Sequence, residues 1–440
     1  MNSLPPSAAS LLTRRQILHR AALVGLGTGI SGALSPVSLR AANAAGRKLR
    51  VAVMALGRGM AHVRALLALP DVEIAYLAEV DPLRLAAGLK LVSETQKTPC
   101  RGVVDFRSCL EDSTLDALFI AATNFWHTPA ALLAMQAGKH VYVEKPGSHN
   151  PYEAELIVAA TRKYGKVVQM GNQRRTWMRE AIAALHAGAV GEVRFARSFY
   201  YASRASITTP SRPAPPDLDL SLWQGPVADE PGREIGKFVH YNWHWLWHWG
   251  NGELGNNGVH TLDILRWGLR VGYPRKITYT GGRYWHRDPQ ETPDTGTAVF
   301  DYGHCGMEWV QSSCVPRSAE KPTAECIFYG DNGTFAITGG TTTGWTVYDP
   351  KGVKVSEGKG PNAGDASHIG NFLEAIRGNA TLNSPIQEGQ ISAMLCHLGN
   401  IAYRTNATVQ CDPDTGRMLN HPAGEKLWKR PYRKGWEPSL

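Results

Sequence analysis

Residues 238–251 read Phe-Val-His-Tyr-Asn-Trp-His-Trp-Leu-Trp-His-Trp-Gly-Asn, with Trp243, Trp245, Trp247 and Trp249 in strict alternation and His240, His244 and His248 four apart. Indole faces stack on the C–H faces of a sugar ring, while His and Asn bond its hydroxyls, so the strip points to a carbohydrate ligand. The two spacings favour different backbones: an extended chain puts the tryptophans on one face, a helix the histidines. Gly250-Asn251-Gly252 follows, which favours an irregular or extended segment leading into a helix from about Gly255 to Leu269. The alternative is that the tryptophans are core. No His-Glu-x-x-His spacing occurs here, so no metal is expected.

A second chemical signal lies nearer the start. Leu49 to Ala55 is a β-branched apolar run, followed by Leu56-Gly57-Arg58-Gly59-Met60-Ala61-His62 and a helical pattern to Leu69. Strand, glycine turn and helix let a backbone approach a pyrophosphate whose charge meets free N–H groups. In G-x-G-x-x-G register the positions hold Ala55, Gly57 and Met60, so the loop alone is an imperfect dinucleotide fingerprint. The next strand, Val72 to Ala78, ends at Glu79-Val80-Asp81, about 22 residues beyond Gly57. An acid there binds ribose hydroxyls and repels a 2′-phosphate, favouring NAD over NADP; alternatively Glu79 and Asp81 start the helix from Pro82.

These groups need a scaffold, and the chain is long enough for two domains: 440 residues, 43% hydrophobic. Alternation continues with Asp116 to Ala122, a helix from Thr128 to Ala137, and His140 to Val143, which predicts a parallel doubly wound sheet. From Gly191 the period changes. Val193 to Tyr201, Lys276 to Gly281, Thr297 to Tyr302, Met307 to Ser312 and Cys326 to Tyr329 read as a largely antiparallel open sheet. The fold class is therefore α/β plus α+β, an N-terminal Rossmann domain followed by an antiparallel-sheet domain. Thr208 to Asp219 is a Pro- and Ser-rich loop that could serve as a lid or subunit arm, and helices at about Ser367–Arg377 and Glu388–Arg404 should pack back on the first domain.

The net charge of +9 includes Arg14, Arg15, Arg20 and Arg40 against no acid in the first 45 residues, which leaves +5 for the remainder. No later basic run marks a nucleic-acid surface. Thr13-Arg14-Arg15-Gln16-Ile17-Leu18, a Gly-interrupted apolar stretch to Leu34 and Ala42-Asn43-Ala44 read as a twin-arginine export signal, too short for a stable membrane anchor. Export by that machinery in folded form would let a cofactor travel inside. Seven scattered cysteines read as small core residues, with one disulfide left open. The expected divisions are 1–45 signal, 46–175 dinucleotide domain, 176–410 substrate domain and 411–440 tail.

Gly138-Lys139-His140-Val141-Tyr142-Val143-Glu144-Lys145-Pro146 closely resembles the Gfo/Idh/MocA oxidoreductases. So, in order, do Ala122-Thr123-Asn124-Phe125-Trp126-His127, Gly171-Asn172-Gln173-Arg174-Arg175 and Gly255-Asn256-Asn257-Gly258-Val259-His260-Thr261-Leu262-Asp263. The resemblance implies a homo-oligomer, a nicotinamide held by Gly57, Arg58, Gly59, Met60, Glu79, Thr123, Asn124, His127, Glu144, Lys145 and Gln173, and a sugar met by Arg175, Trp243, His244, His248, Asn256 and His260. Lys145 would stabilise and relay charge at the reacting hydroxyl, with His260 as acid/base partner. The bland alternatives are a solvated Lys145 and a His260 bonded to Asp263. Many relatives carry Asp where Asn256 stands, and an amide cannot take a proton.

Three functions follow as expectations. The first is hydride transfer between a sugar carbinol and tightly bound NAD. The second is redox-neutral glycoside cleavage or epimerisation in which the hydride returns. The third is a periplasmic sugar-binding protein with a structural dinucleotide.

Overall fold

Alternation within the first apolar run shapes the first sheet. In β1 (Leu49–Met54), Leu49, Val51 and Val53 join one buried cluster and Ala52 and Met54 another, as in a strand covered on both faces. With β2 (Val72–Ala78), β3 (Arg101–Val103), β4 (Ala117–Ile120), β5 (His140–Glu144) and β6 (Val168–Gly171) it forms a parallel sheet ordered β3-β2-β1-β4-β5-β6, the doubly wound Rossmann order. The computed structural model describes residues 47–208, 214–232, 234–315, 324–339, 342–362 and 364–440. The twin-arginine segment and residues 209–213 of the Pro-rich loop lie outside them.

Helices cover both faces of this sheet. α1 (Gly59–Leu67) packs Val63 and Leu66 on one side, and α2 (Pro82–Thr95) adjoins it. α3 (Asn124–Gln136) and α4 (Pro151–Tyr164) cover the other. Asp81 caps α2 by accepting from the Leu83 and Arg84 amides, and Asn150 caps α4 by accepting from Glu153. Asp81 is thus a helix-starting residue, the alternative kept open above.

The second sheet runs β14-β13-β12-β11-β7-β10-β9-β8-β15. Its strands are β7 (Val193–Tyr201), β8 (Lys276–Gly282), β9 (Thr295–Asp301), β10 (Gly306–Ser312), β11 (Cys326–Gly330), β12 (Gly333–Thr338), β13 (Thr342–Tyr348), β14 (Lys354–Asn362) and β15 (Val409–Gln410). Among the described residues only the β7–β10 pair of this sheet is parallel. The strands from β12 onward go beyond the sequence expectation. The Gly- and Thr-rich sequence of β12 to β14 obscures a strand period that successive pairing, β12 on β11, β13 on β12 and β14 on β13, nevertheless enforces.

α5 (Val259–Leu269) and α7 (Ile386–Thr405) pack on one face of this sheet, while α6 (Asp365–Ile376) returns to the first domain and places Ile369, Phe372 and Leu373 beside α1. The final stretch is docked as well: Trp436 meets Trp126 edge to face at 5.2 Å, and Arg430 Nε and the Tyr432 hydroxyl both donate to Glu153 Oε1. All seven cysteines are free.

The aromatic strip departs from its expected form. A 3-10 turn at Asn242–Trp245 rotates successive residues by roughly a third of a turn, so the tryptophans do not share a face. Trp245 and Trp249 are fully buried, Trp245 beneath the Arg204 guanidinium at 3.6 Å and Trp249 in the core of the first domain. Both pack within the protein, so the four tryptophans do not form one continuous platform.

Candidate functional site

The carboxyl ends of β1, β2, β4 and β5 open on a cleft of about 480 Å³, where open α/β sheets bind ligands. At its first edge Ala55 adopts a positive φ of 66° and its N–H bonds the Ala78 carbonyl at 2.8 Å, so an alanine makes the turn usually given to glycine. Gly57 and Arg58 line the cleft. Gly59 and Met60 do not: α1 begins at Gly59, whose Cα faces Val53 so closely that a Cβ would stand 3.1 Å from its methyl, and Met60 turns toward Gly88. These two residues pack against Val53 and Gly88 and lie outside the cleft lining.

Glu79 lines the cleft at the end of β2. Its carboxylate accepts from the Leu56 amide at 2.6 Å and from those of Val80 and Asp81 at 2.8 and 3.0 Å. Burial raises its pKa against those hydrogen bonds. Thr123 and Asn124 line the floor; the Thr123 hydroxyl is buried and lacks a partner, and Asn124 donates to Asn251 at 2.8 Å. His127 lies behind the floor, bonded to the Ala122 carbonyl at 3.0 Å, and burial lowers its pKa to about 4. It does not line the cleft, and its Nδ1 is buried without a partner.

Four side chains meet at the end of β5. Glu144 accepts from His62 Nε2 at 2.9 Å, Gln173 Nε2 at 3.0 Å and Arg58 Nε at 3.1 Å. Burial opposes its ionisation, yet the His62 bond and Arg58 hold its pKa well below the carboxylate range. The same Arg58 reaches Asp365 of α6 at 2.7 Å, which ties the late helix to the site.

Lys145 Nζ donates to the Asn256 carbonyl at 2.6 Å and to its Oδ1 at 3.0 Å. Burial lowers the ammonium to about 8, although Glu144 opposes the shift. Asn256 sits in a π-helical turn, Leu254–Gly258, that leads into α5; such wide turns recur at functional sites, and this one presents both oxygens to the lysine.

His260 lines the same cleft, with Nδ1 3.1 Å from Asn172 Oδ1. Burial first, then the Lys145 charge, pushes its pKa well below the usual value. The ring is therefore neutral. With its Nδ1–H given to Asn172, Nε2 carries a lone pair.

Other expected contacts fall elsewhere. Arg175 is buried and forks onto Asp263 at 2.7 and 2.9 Å, so Asp263 serves Arg175 and not His260, and Arg175 lies off the cleft. His248 faces away, bonded to the Ala228 carbonyl at 2.8 Å and 3.1 Å from Glu230. Trp243 and His244 do line the cleft, but they stack on each other at 3.7 Å. Sequence reasoning passed over Arg84, Asn172, Tyr241 and Trp223. Asn172 lay within a quoted motif and Tyr241 within the quoted aromatic strip; Arg84 comes five residues after Glu79 on the first turn of α2; nothing local marks Trp223.

The residues present suit a dinucleotide. A carboxylate stands where ribose hydroxyls are expected, Gly57 offers bare backbone, and an orphaned hydroxyl at Thr123 lacks only a ligand partner.

Comparison with known proteins agrees with this geometry. A family model described as the Gfo/Idh/MocA oxidoreductase family, NAD-binding Rossmann fold, matches residues 21–172, and one described as the Gfo/Idh/MocA C-terminal domain matches residues 178–336. A glycosyl hydrolase family 109 protein of Saccharopolyspora erythraea is 28% identical over 215 residues, 44% of this chain and 47% of that protein. The chain spans about half the length, or less, of the curated relatives it matches.

Among solved structures, an aldose-aldose oxidoreductase from Caulobacter crescentus complexed with glycerol superposes with TM-score 0.63 at 18% identity, covering 83% of this chain and 100% of that one. The WlbA dehydrogenase from Bordetella pertussis, in complex with NADH and UDP-GlcNAcA, gives 0.61 at 18%, covering 83% and 99%. Both share the fold. With matching models on both of its domains, the chain belongs to the Gfo/Idh/MocA oxidoreductase family and carries that family's NAD-binding Rossmann domain.

Proposed function

We propose that the protein oxidises or reduces a carbinol of a sugar or sugar derivative, with Lys145 and His260 moving the proton. The observation that carries this reading is the pair of bonds from Lys145 Nζ to Asn256. A neutral amine has two N–H groups, and Asn256 takes both, which leaves the lone pair facing the cleft. An ammonium has a third proton in the same place. With a pKa of about 8, Lys145 can exchange that proton with a hydroxyl near neutral pH. His260 Nε2 accepts a second hydroxyl hydrogen and orients the ring. Gly57, Glu79 and Thr123 would hold NAD, which supplies hydride acceptance and donation when bound. NADP is disfavoured by the Glu79 charge.

A second reading, redox-neutral glycoside cleavage or epimerisation, is favoured by the amide at Asn256 and by the similarity to a family 109 glycosyl hydrolase. There His260 would take the proton of a C–H acidified beside the oxidised carbon while the aglycone leaves with a proton, water adds in its place, and Lys145 returns the proton it took. The aldose-aldose oxidoreductase of the same fold supports a third course, in which a second sugar closes the cycle. All three suit a cofactor retained during export. The signal at Arg14-Arg15 supports export, and the exposed Val299 and Tyr329 on the second sheet support a homo-oligomer.

Denaturing the purified protein should release NAD, and adding sugars to intact protein should change absorbance near 340 nm. Cleavage of a glycoside without net NADH would select the redox-neutral course. Bound sugar with no chemistry would instead leave a binding protein with a structural dinucleotide. Replacing Arg14 and Arg15 together by Lys should retain the protein in the cytoplasm; unchanged periplasmic yield would refute the export route.

A further inference from the structure

The strip residues that miss the cleft, Trp247 and His248, line a separate cavity of about 360 Å³. Asn251 forms part of the wall between the two: its Oδ1 accepts from Asn124 of the cleft, and its Nδ2 donates to the His149 carbonyl at 2.8 Å.

Four cations line this chamber, from the end of α7 (Arg404) and from the docked tail (Lys426, Lys429 and Arg430), against two carboxylates, Glu230 and Glu291. Some of this charge is already engaged. Arg430 Nε pairs with Glu153 at 3.0 Å, Lys429 pairs with Glu437, and the Arg404 guanidinium lies 5.2 Å from the Trp247 ring. Even so, buried hydrogen-bonding capacity is left over. Both ring nitrogens of His149, a residue only 7% exposed, lack partners, as does Arg430 Nη1. Burial, reinforced by the charge of Arg430 and Arg404 among its neighbours, keeps the His149 ring neutral. Buried polar groups of this kind normally have partners, and a ligand oxygen would supply them. The chemistry assigned to Lys145 and His260 makes no use of this chamber, and its volume suits a monosaccharide-sized ligand.

We infer that this chamber is a second ligand site for a small organic oxyanion, a carboxylate or phosphate ester, whose charge is met by Arg430, Arg404 and Lys426 and whose hydroxyls are met by His149, Asn150 and Asn400. Guanidinium N–H groups recognise carboxylate and phosphate oxygens in forked pairs, and the buried Nη1 of Arg430 lacks a partner in this chamber.

Calorimetric titration of the intact protein with glucuronate, inorganic phosphate and glucose, at low ionic strength, tests this. At least one of the two anions should bind, and glucose serves as the control for the cleft: any heat it gives should be unchanged in a variant of the chamber. Binding of glucuronate alone identifies a sugar acid as the source of the oxyanion, and binding of phosphate identifies a phosphate ester. The double variant Arg404→Gln/Lys426→Gln should weaken the anion at least tenfold while still retaining NAD, which also reports that it is folded. His149→Phe, which preserves bulk and removes the nitrogens, should weaken it too. Lys145→Met, altered only in the cleft, should bind the anion unchanged. The inference is overturned if neither anion binds, if glucose binding falls in the double variant as anion binding does, if the double variant and His149→Phe both bind the anion as wild type does, or if Lys145→Met abolishes anion binding, since that would place the anion in the cleft.

Discussion

Lys145→Met removes one titrating group from the cleft, and its effect on folding can be worked in advance. In the native chain burial brings the ammonium from 10.5 to about 8; unfolding returns it to roughly 10.4. The unfolded chain holds the proton more tightly, so native stability rises with pH between those two values. At roughly 1.36 kcal/mol per pH unit the full effect is about 3.4 kcal/mol, of which about 2.5 kcal/mol develops between pH 7 and 10. Lys145 keeps part of its surface in the cleft, and solvent there reduces the expected figure to about 2 kcal/mol.

The assay is urea unfolding of cofactor-free wild type and Lys145→Met at pH 7, 8, 9 and 10. Methionine leaves both Asn256 oxygens without their donor, but that cost does not titrate and drops out of the pH-dependent difference. Wild type should gain about 2 kcal/mol on the variant across the series. A difference flat to within about 0.5 kcal/mol, or one that falls, would refute a buried lysine of lowered pKa. The same group should appear in catalysis: sugar oxidation should rise, and the reverse reduction fall, through pH 8.

His260→Ala should reduce turnover by roughly 10² to 10⁴ with NAD still bound, the range for a lost acid/base group; wild-type turnover would remove His260 from the mechanism. Arg175→Ala should cost about 3 kcal/mol in urea unfolding, because Asp263 loses its forked partner and keeps only Ser392 and the more distant Arg266. In folded protein its KM for sugar should be unchanged, and a raised KM would return Arg175 to the substrate site. Glu79→Ser should weaken NAD about tenfold, or roughly 1.4 kcal/mol, and narrow the preference over NADP, since Arg84 lines the same end of the cleft. Equal dinucleotide affinities in wild type and variant would refute the ribose assignment.

The Rossmann half was legible in sequence because its information is local. A strand buried on both faces must be uniformly apolar, a cap must precede its helix, and an acid must follow the second strand, so β1, β2, Glu79 and the Asp81 cap follow from short windows. The Lys145, Asn256 and His260 set was legible only through family motifs, because these residues lie up to 115 positions apart and no local period joins them.

What tertiary structure alone decided is where each side chain points. Trp245 and Trp249 share a spacing with Trp243, yet the backbone leaves the extended form at the 3-10 turn Asn242–Trp245, and Trp245 and Trp249 are enclosed while the buried Trp243 also edges the cleft. Arg175 and His248 have the chemistry of ligand contacts, but Asp263 and Glu230 claim them across distances the chain does not announce. Residue type sets what a group can do; the partner that reaches it first, through packing remote in sequence, determines whether that capacity is left over for a ligand.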